Sequence, residues 1–246
     1  MSGLLLKIIA IFSMTIDHIN TVLLNDNSFL TLIGRIAFPI FCFMLVQGYN
    51  HTKNDKKRLN KYFLRLLIFA IIAEIPFRLC FNPENAIGGN VLFELILGLL
   101  ALIMYDYLSK NSKPLGVASI FFFSIIALAL RLDWDLWGIL IIFAFYFYNQ
   151  SHNKLNLTLN IAITSLVMFL WYTLFDFKII NLSTLTKSLE TNYVVFGILL
   201  SLPIVFSYND QKGYNSKLLQ ILFYAYYPLH LLVLYFLSRI GDGSLF

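Results

Sequence analysis

Charged residues are scarce in this 246-residue chain. Only 13% of the residues are charged and 59% are apolar, whereas a typical soluble domain carries about 25% charged residues. This composition excludes a disordered chain, a collagen-like fibre, a coiled coil and an ordinary soluble globule, because a water-soluble fold needs polar side chains to cover its surface. The mean hydropathy is +0.76. The sequence therefore predicts an integral membrane protein whose main solvent is lipid.

Cysteine is also scarce, and the short motifs of several enzyme classes are missing. Cys42 and Cys80 lie in or beside apolar runs, which excludes a disulfide framework and a cysteine-ligated zinc site. The chain has no Walker loop, no dinucleotide-binding glycine fingerprint and no G-x-S-x-G nucleophile elbow. We expect no metal. The net charge of +5 does not indicate nucleic acid, because one short loop supplies almost all of the positive charge density.

Long apolar runs are what the sequence does have. A membrane-spanning helix needs about 20 apolar residues, and continuous runs favour helices over a barrel, whose strands alternate. We predict an all-α, polytopic transmembrane helix bundle of about nine spans, formed as one domain over residues 1–246. The runs are Leu4–Leu24, Phe29–Tyr49, Tyr62–Phe81, Val91–Leu108, Leu115–Leu130, Leu136–Tyr148, Leu157–Phe175, Tyr193–Tyr208 and Leu218–Leu237. The fifth and sixth are short, which leaves open whether both cross fully.

Basic residues in the loops predict the orientation of the bundle. Loop His51–Lys61 has five basic residues and one acidic residue, and the later even-numbered loops carry lysines. The first, third and fifth loops are poor in bases or net acidic. We therefore expect the N-terminus inside and the long seventh loop, Asp176–Asn192, outside. The first run is long, contains Asp17 and His18 and lacks a small-residue cleavage pattern, so we expect an uncleaved span.

Ionisable side chains inside the predicted spans need an explanation, because each costs at least about 2.5 kcal/mol to insert. In the predicted orientation, five helices bring such groups to one depth in the outer half of the membrane. Clusters of this kind typically mark a substrate, ion or proton site. The simpler alternative is a structural cluster that holds the helices together. The members are Asp17, His18, Arg35, Glu74, Glu94 and His230, with Arg78 at the outer edge.

Lys7 and His18 share one face of the first predicted helix. They are 11 residues apart, which returns to within about 20° of the starting direction and separates their backbones by about 16 Å. One bound molecule could reach both side chains. Asp17 points about 100° away from His18, so a carboxylate from another helix, such as Glu74 or Glu94, would have to orient the imidazole. Taken singly, Lys7 is typical of a positive-inside anchor and His18 of a packed core histidine.

The basic run Lys53–Lys61 has two interpretations. The first is a topology determinant that also contacts anionic lipids. The second is a site for the phosphates of a nucleotide-bearing donor in the cytoplasm.

An ordered series of short stretches runs along the chain. They are Lys7–Ala10 leading to Ile16–Ile19, Gly34–Phe41, Gly48–Thr52, Glu74–Phe77, Asn90–Phe93, Leu97–Leu99 and Phe223–His230. As a set they resemble the TraX family of conjugal pilin acetylases, which is similar to the larger acyltransferase-3 group of integral-membrane acyltransferases. The resemblance is dense to about residue 108, sparse in the middle and returns in the ninth run. That group is marked by a basic residue and a His with the spacing of Lys7 and His18.

The resemblance implies a bacterial cytoplasmic-membrane enzyme. It would move an acetyl (acyl) group from cytoplasmic acetyl-CoA to an acceptor reached from outside, either the N-terminus of a pilin-like protein or a cell-surface glycan. His18 would be the general base, Asp17 or Glu74 would orient it, and Arg35 would stabilise the oxyanion or bind the acceptor. The implied donor-binding residues are Lys7, His51, Lys53 and Arg65. The implied acceptor-binding residues are Glu94, Arg78, Asn90, His230 and Tyr227.

The chain departs from the family pattern at three positions. Gln47 and Arg78 stand where the pattern commonly has acids, and Glu94 stands where a Thr is usual. The basic and acidic replacements at one depth predict an Arg78–Glu94 pair and leave the acceptor open. Two other functions also stay open: a proton-coupled small-molecule carrier that uses the same polar cluster, and a non-enzymatic membrane assembly factor. Carriers often show paired halves, and we find no internal repeat.

Overall fold

A computed structural model describes residues 1–24, 27–81, 89–175, 182–214 and 216–241. Within these ranges the regular structure is helical and contains no strand, which confirms the all-α prediction. The helices are α1 (Gly3–Leu23), α2 (Ser28–Gly34), α3 (Ala37–Thr52), α4 (Lys56–Phe81), α5 (Val91–Leu108), α6 (Lys113–Ala129), α7 (Asp135–Ser151), α8 (Lys154–Phe175), α9 (Leu182–Asn192), a 3₁₀ helix (Tyr193–Leu200), α10 (Ser201–Phe206) and α11 (Lys217–Gly241).

Short polar residues begin several of these helices. The side chains of Ser2, Asn27 and Asn90 precede α1, α2 and α5, and each accepts a hydrogen bond from a backbone N–H of the first turn. Such a cap satisfies an amide that has no partner within the helix. Pro114 lies in the first turn of α6, where its missing N–H is harmless. Apolar runs alone would not place these starts, but the capping residues do.

Six segments among the described residues are long and apolar enough to cross a membrane. They are Gly3–Leu23, Ser28–Thr52, Val91–Leu108, Lys154–Leu174, Ser188–Phe206 and Lys217–Ile240. The three other predicted runs form α4, α6 and α7. Helices α6 and α7 have 17 residues each, and α4 carries Arg65, Glu74 and Arg78 in its apolar part. The protein is thus a helical membrane protein, while the count of nine spans and the inside N-terminus stay predictions.

Three segments differ in detail from the sequence-based expectation. The second run is not one helix, because it breaks at Arg35–Ile36 between α2 and α3. The eighth run begins as a 3₁₀ helix of eight residues, whereas such helices rarely exceed four. The predicted outer loop 176–192 is helical from Leu182 onward, as α9. Its leucines recur three and four residues apart, which is a helical period that hydropathy alone does not show. Its first part, 176–181, lies outside the described residues.

Contacts divide the chain into two compact units. The first unit comprises residues 1–41 and 152–214, and the second comprises residues 42–151 and 215–246. In the first unit, α1 packs on α2, and the 3₁₀ helix packs on α2 and α8. In the second unit, α4 packs on α11 and α5, while α5, α6 and α7 pack on one another. The prediction of a single domain stays a prediction.

Candidate functional site

Helix α1 carries three of the predicted site residues in the first unit. It runs without interruption from Gly3 to Leu23, so the helical spacing that aligns Lys7 with His18 holds. Both side chains, and that of Asp17, are half-buried. Lys7 and His18 therefore lie on one face of one rigid element, about 16 Å apart along its axis.

Asp17 packs against the end of α2. A Cβ placed on Gly34 would overlap the Asp17 side chain, so the absence of a side chain at Gly34 makes this approach possible. One turn earlier, the Ser13 hydroxyl donates to the carbonyl oxygens of Ile33 (2.5 Å) and Gly34 (3.2 Å). These carbonyls belong to the last turn of α2, where helix carbonyls lose their regular partners. Polar side chains of α1 thus hold the point at which the second span breaks.

Asn20 holds the other end of α2. It is fully buried, its amide donates to the carbonyl of Asn27 (3.0 Å) and to the Thr31 hydroxyl (2.9 Å), and its oxygen accepts from the Asn27 N–H (2.8 Å). Ser13, Asp17 and Asn20 follow one another at helical spacing along one face of α1. We did not single out Ser13 or Asn20 from the sequence, although their spacing from Asp17 indicates that the three residues share one helix face.

Arg35 occupies the break between α2 and α3. It is half-buried, and its Nε atom is inaccessible to solvent. Gly197 of the 3₁₀ helix approaches the same place, since a Cβ there would overlap the carbonyl oxygen of Leu32 and lie 3.0 Å from the Cβ of Arg35. Non-helical backbone at membrane depth is tolerated only where protein covers it or a cavity hydrates it. The break is covered by close backbone packing in the first unit.

In the second unit, Glu74 and Asn90 join α4 to the start of α5. One carboxylate oxygen of Glu74 accepts from the backbone N–H (3.1 Å) and the side-chain amide (2.9 Å) of Asn90, which is fully buried and also donates to the carbonyl of Ala70 (2.9 Å). The other oxygen accepts from Nε of Arg78 (2.7 Å). A carboxylate near a helix N-terminus is also favoured by the helix dipole.

The predicted Arg78–Glu94 pair is wrong. Arg78 binds Glu74, which lies four residues away on the same helix, and this spacing places the two side chains side by side. Glu94 is fully buried against Gly138 of α7, where a Cβ would overlap the carboxylate. Its carboxylate lies within the electrostatic field of Asp133 and forms no ion pair with any described residue.

Tyr227 and His230 lie near Pro228 on α11, and both are buried. The Tyr227 side chain interacts with the backbone of Val91 at the start of α5. Nδ1 of His230 lies 3.0 Å from the carbonyl oxygen of Tyr226, and because a carbonyl only accepts, Nδ1 carries the proton. The imidazole stacks on the Tyr226 ring at 5.1 Å with an interplanar angle of 10°. His230 is thus held by its own helix.

Lys53 takes part in a polar network that the sequence did not predict. Its Nζ lies 3.1 Å from Asp106 of α5, and the hydroxyls of Tyr49 (2.7 Å) and Tyr146 donate to the same carboxylate. Lys53 also lies over both rings, at 5.4 and 5.9 Å. In the sequence, Asp106 follows an apolar run, where an acidic residue needs a partner. We did not identify Lys53 as that partner from the sequence. The nearby His51 is exposed in the last turn of α3.

The side chain of Arg65 joins α4, to which it belongs, to α11. Its Nη1 donates to the side-chain oxygen of Gln220 (2.8 Å), and its guanidinium carbon lies 5.6 Å from the centre of the Tyr224 ring. The structure therefore brings Glu74, Arg78 and Asn90 together, and places Lys53 and Arg65 in separate contacts. Catalytic and binding roles of all these residues stay predictions.

A family model described as "TraX protein" matches residues 2–238. The chain belongs to the TraX family. The resemblance inferred from the motifs is thereby confirmed. A similar relative is the "Probable fimbrial assembly protein FimC, serogroup H1" of Dichelobacter nodosus, 31% identical over 249 residues that cover 95% of this chain and 94% of the relative. The "Uncharacterized protein RP591" of Rickettsia prowazekii (strain Madrid E) is 29% identical over 248 residues, covering 95% and 90%. No solved structure matches the chain.

Proposed function

We propose that this TraX-family protein is an acyltransferase of the bacterial cytoplasmic membrane. It transfers an acetyl group from cytoplasmic acetyl-CoA to an acceptor reached from outside, a pilin-like protein N-terminus or a cell-surface glycan. The observation that carries the proposal is the placement of Lys7 and His18 on one face of the uninterrupted helix α1. A thioester donor held at one end by a cation can reach a base about 16 Å along the same helix.

His18 acts as the general base. It takes the proton from the acceptor amine or hydroxyl, whose nitrogen or oxygen forms a bond to the acetyl carbonyl carbon. The thioester C–S bond then breaks, and the proton held by His18 passes to the departing CoA sulfur. The half-buried state of His18 suits this task, since the imidazole stays accessible to a substrate.

Asp17 and Arg35 have separate roles in this proposal. Asp17 packs on Gly34 and so positions the break of the second span. Arg35 lies in that break, and its guanidinium supplies hydrogen-bond donors for the oxyanion of the tetrahedral intermediate. Lys7 neutralises the phosphate-bearing end of the donor. The roles implied for His51, Lys53, Glu94, Tyr227 and the other second-unit residues stay predictions.

Glu74 is a positioning residue in this scheme. Both of its carboxylate oxygens already accept hydrogen bonds, from Asn90 and Arg78. Such a carboxylate fixes the start of α5 and has little remaining capacity to orient an imidazole.

Reconstituted vesicles with acetyl-CoA labelled in the acetyl group test the proposal. The readout is label transferred to protein or glycan of an outer-surface extract. His18→Gln retains bulk and polarity but accepts no proton at neutral pH, and we expect transfer to fall by about 10²- to 10⁴-fold. His152→Asn is the matched control, because His152 is exposed at a turn with φ 52°, a conformation that Asn tolerates. Near-normal transfer by His18→Gln would remove the base assignment.

A non-enzymatic role in assembly is the second candidate function. It is favoured by the name of the Dichelobacter nodosus relative, which describes a fimbrial assembly protein. Under this alternative, deletion cells that express His18→Gln would still assemble surface fibres, and labelled acetyl groups would not be transferred even by the wild-type chain. Fibre counts and label transfer, measured on the same cells, separate the two functions.

A further inference from the structure

Helices α4 and α11 of the second unit form a parallel pair in register. Arg65 meets Gln220 and Phe69 stacks on Tyr224 at 5.2 Å. Each pair joins residues 155 positions apart in the chain, and a constant offset means that the two helices run in the same direction. The same offset places Lys217, where α11 begins, level with Tyr62, six residues after the start of α4 at Lys56.

Positive charge concentrates at these paired ends. Lys57, Lys61 and Arg65 follow one another every four residues along one stripe of α4, and Lys217 begins α11. Lys57, Lys61 and Lys217 are exposed. The nearby acid Asp55 pairs with Arg58 at the surface and forms no ion pair with a cation of this stripe.

Arg65 is the innermost cation of this stripe, and its protein partners are neutral. They are the amide oxygen of Gln220 and the ring of Tyr224. Among the described residues no carboxylate lies within ion-pair distance of it. A half-buried guanidinium held by neutral partners retains its full positive charge for an anion, and its planar fork suits a phosphate.

Helix length places this stripe at the membrane surface. Helix α4 has 26 residues, or about 39 Å, whereas the hydrocarbon core is about 30 Å thick. As a predicted span, α4 is therefore longer than the hydrocarbon, and its first turns, which carry the lysines, are the end expected to extend beyond it. Beside the stripe, large apolar side chains are exposed: Leu64 (53%), Ile68 (46%), Leu218 (67%), Ile221 (54%) and Leu222 (53%). An occupant must therefore offer a phosphate next to hydrocarbon.

We propose that the paired N-terminal ends of α4 and α11 bind one anionic phospholipid. Its phosphate lies against Arg65, Lys61 and Lys217, and its acyl chains follow Ile68 and Ile221. A soluble phosphate compound would match the charge but would leave the apolar side chains uncovered. The proposal is independent of acyl transfer, and it gives Arg65 a role different from the donor-binding role implied by the family resemblance.

Native mass spectrometry of the full chain tests the site. The protein is exchanged into detergent containing equal amounts of phosphatidylglycerol and phosphatidylcholine. The abundance of protein that retains each lipid is then compared. We expect phosphatidylglycerol to be retained preferentially. Arg65→Gln should lower that preference about fivefold, the effect of one basic residue at an anionic surface. Arg65→Lys should keep most of it. Lys110→Gln, at an exposed lysine of the α5–α6 turn, is the matched control and should change nothing.

Competition identifies the source of the phosphate. Inorganic phosphate or CoA, added separately, should not displace the lipid, and displacement by CoA would assign Arg65 to the donor instead. Equal retention of both lipids by the wild-type chain would overturn the proposal. If Arg65→Gln does not fold, the exposed double variant Lys61→Gln/Lys217→Gln serves in its place. An unchanged preference in that variant would also overturn it.

Discussion

Asp17 of α1 lies directly against Gly34, the last residue of α2. The contact links the helix that carries His18 to the point where the second span is interrupted. One residue later comes Arg35, so the approach of Asp17 to a glycine sets where a guanidinium emerges. A discontinuous span at a polar position is typical of membrane proteins that handle charged ligands.

Gly34→Ala is expected to destabilise the protein by about 1–3 kcal/mol, because the new methyl group overlaps Asp17 and forces a shift of α1 or α2. Thermal unfolding in detergent micelles measures the effect. Gly3→Ala is the matched control, since a Cβ at Gly3 would meet its nearest neighbour at an ordinary 3.5 Å. The double variant Gly34→Ala/Asp17→Ala should recover part of the loss. Equal effects of the two single glycine substitutions would contradict the close packing.

Asp106→Ala is expected to destabilise the second unit more than Lys53→Ala. Three donors meet on this carboxylate, from Lys53, Tyr49 and Tyr146, and a hydrogen bond to a charged group is worth about 1.5–3 kcal/mol. Removal of Lys53 loses one partner only, and that lysine is one-third exposed. Chemical denaturation of the detergent-solubilised chain gives the two values. A larger effect of Lys53→Ala would mean that the lysine, not the carboxylate, organises the network.

Local geometry explains what the sequence could predict. The alignment of Lys7 with His18 depends only on the helical repeat, and α1 is a regular helix, so that prediction needed no tertiary information. The start of α5 after Asn90 likewise follows from side-chain capping. The break after Gly34 is different, because the run is apolar on both sides of Gly34–Arg35 and is long enough to form one continuous span, so hydropathy does not mark an interruption.

Tertiary packing explains what the sequence did not reveal. Arg78 had two acids within plausible reach, and it binds Glu74 because a neighbour four residues away on the same helix needs no interhelical alignment. Asp106 escaped notice because its partners come from α3 and α7, far away in the sequence. Nothing in the sequence singles out Gly197. Its lack of a side chain matters only because the 3₁₀ helix packs closely against Leu32 and Arg35.

Glu74 and Arg78 are expected to differ in their contribution to stability. Glu74→Ala removes the acceptor of the Asn90 backbone N–H and one of the two acceptors of its side-chain amide, at a cost of about 1–3 kcal/mol. Arg78→Ala should cost at most about 0.5 kcal/mol, because its side chain is 45% exposed and the pair is an i,i+4 contact. Glu74→Gln, whose carbonyl oxygen can still accept from Asn90, is the intermediate control. Denaturant titration measures all three, and an Arg78→Ala loss as large as that of Glu74→Ala would refute the role of Glu74 in holding Asn90.

The predicted orientation makes Asn54 cytoplasmic and α9 extracytoplasmic. Both Asn54 and Glu190 are exposed side chains. In a background with Cys42→Ala and Cys80→Ala, a membrane-impermeant maleimide should label Glu190→Cys in intact cells and label Asn54→Cys only after permeabilisation. Labelling of both variants in permeabilised cells is the control for reactivity. The reverse pattern in intact cells would invert the orientation and place the N-terminus outside.

His230 is the competitor of His18 for the role of base, and the structure gives the two residues different surroundings. Nδ1 of His230 donates to the carbonyl of Tyr226, its ring is stacked on that tyrosine, and the residue is buried. His18 is half-buried on α1. We therefore expect His230→Gln to lower thermal stability and to reduce acyl transfer less than tenfold.

His18→Gln should show the opposite combination, with nearly unchanged stability and a loss of transfer of about 10²- to 10⁴-fold. Tyr226→Leu removes the stacking partner of His230 and keeps the helix, so it should match the stability loss of His230→Gln. Transfer rates in vesicles and unfolding temperatures in micelles, measured on all three variants, separate chemistry from packing. If His230→Gln abolished transfer without loss of stability while His18→Gln stayed active, the general base would be His230, and α11 rather than α1 would carry the catalytic group.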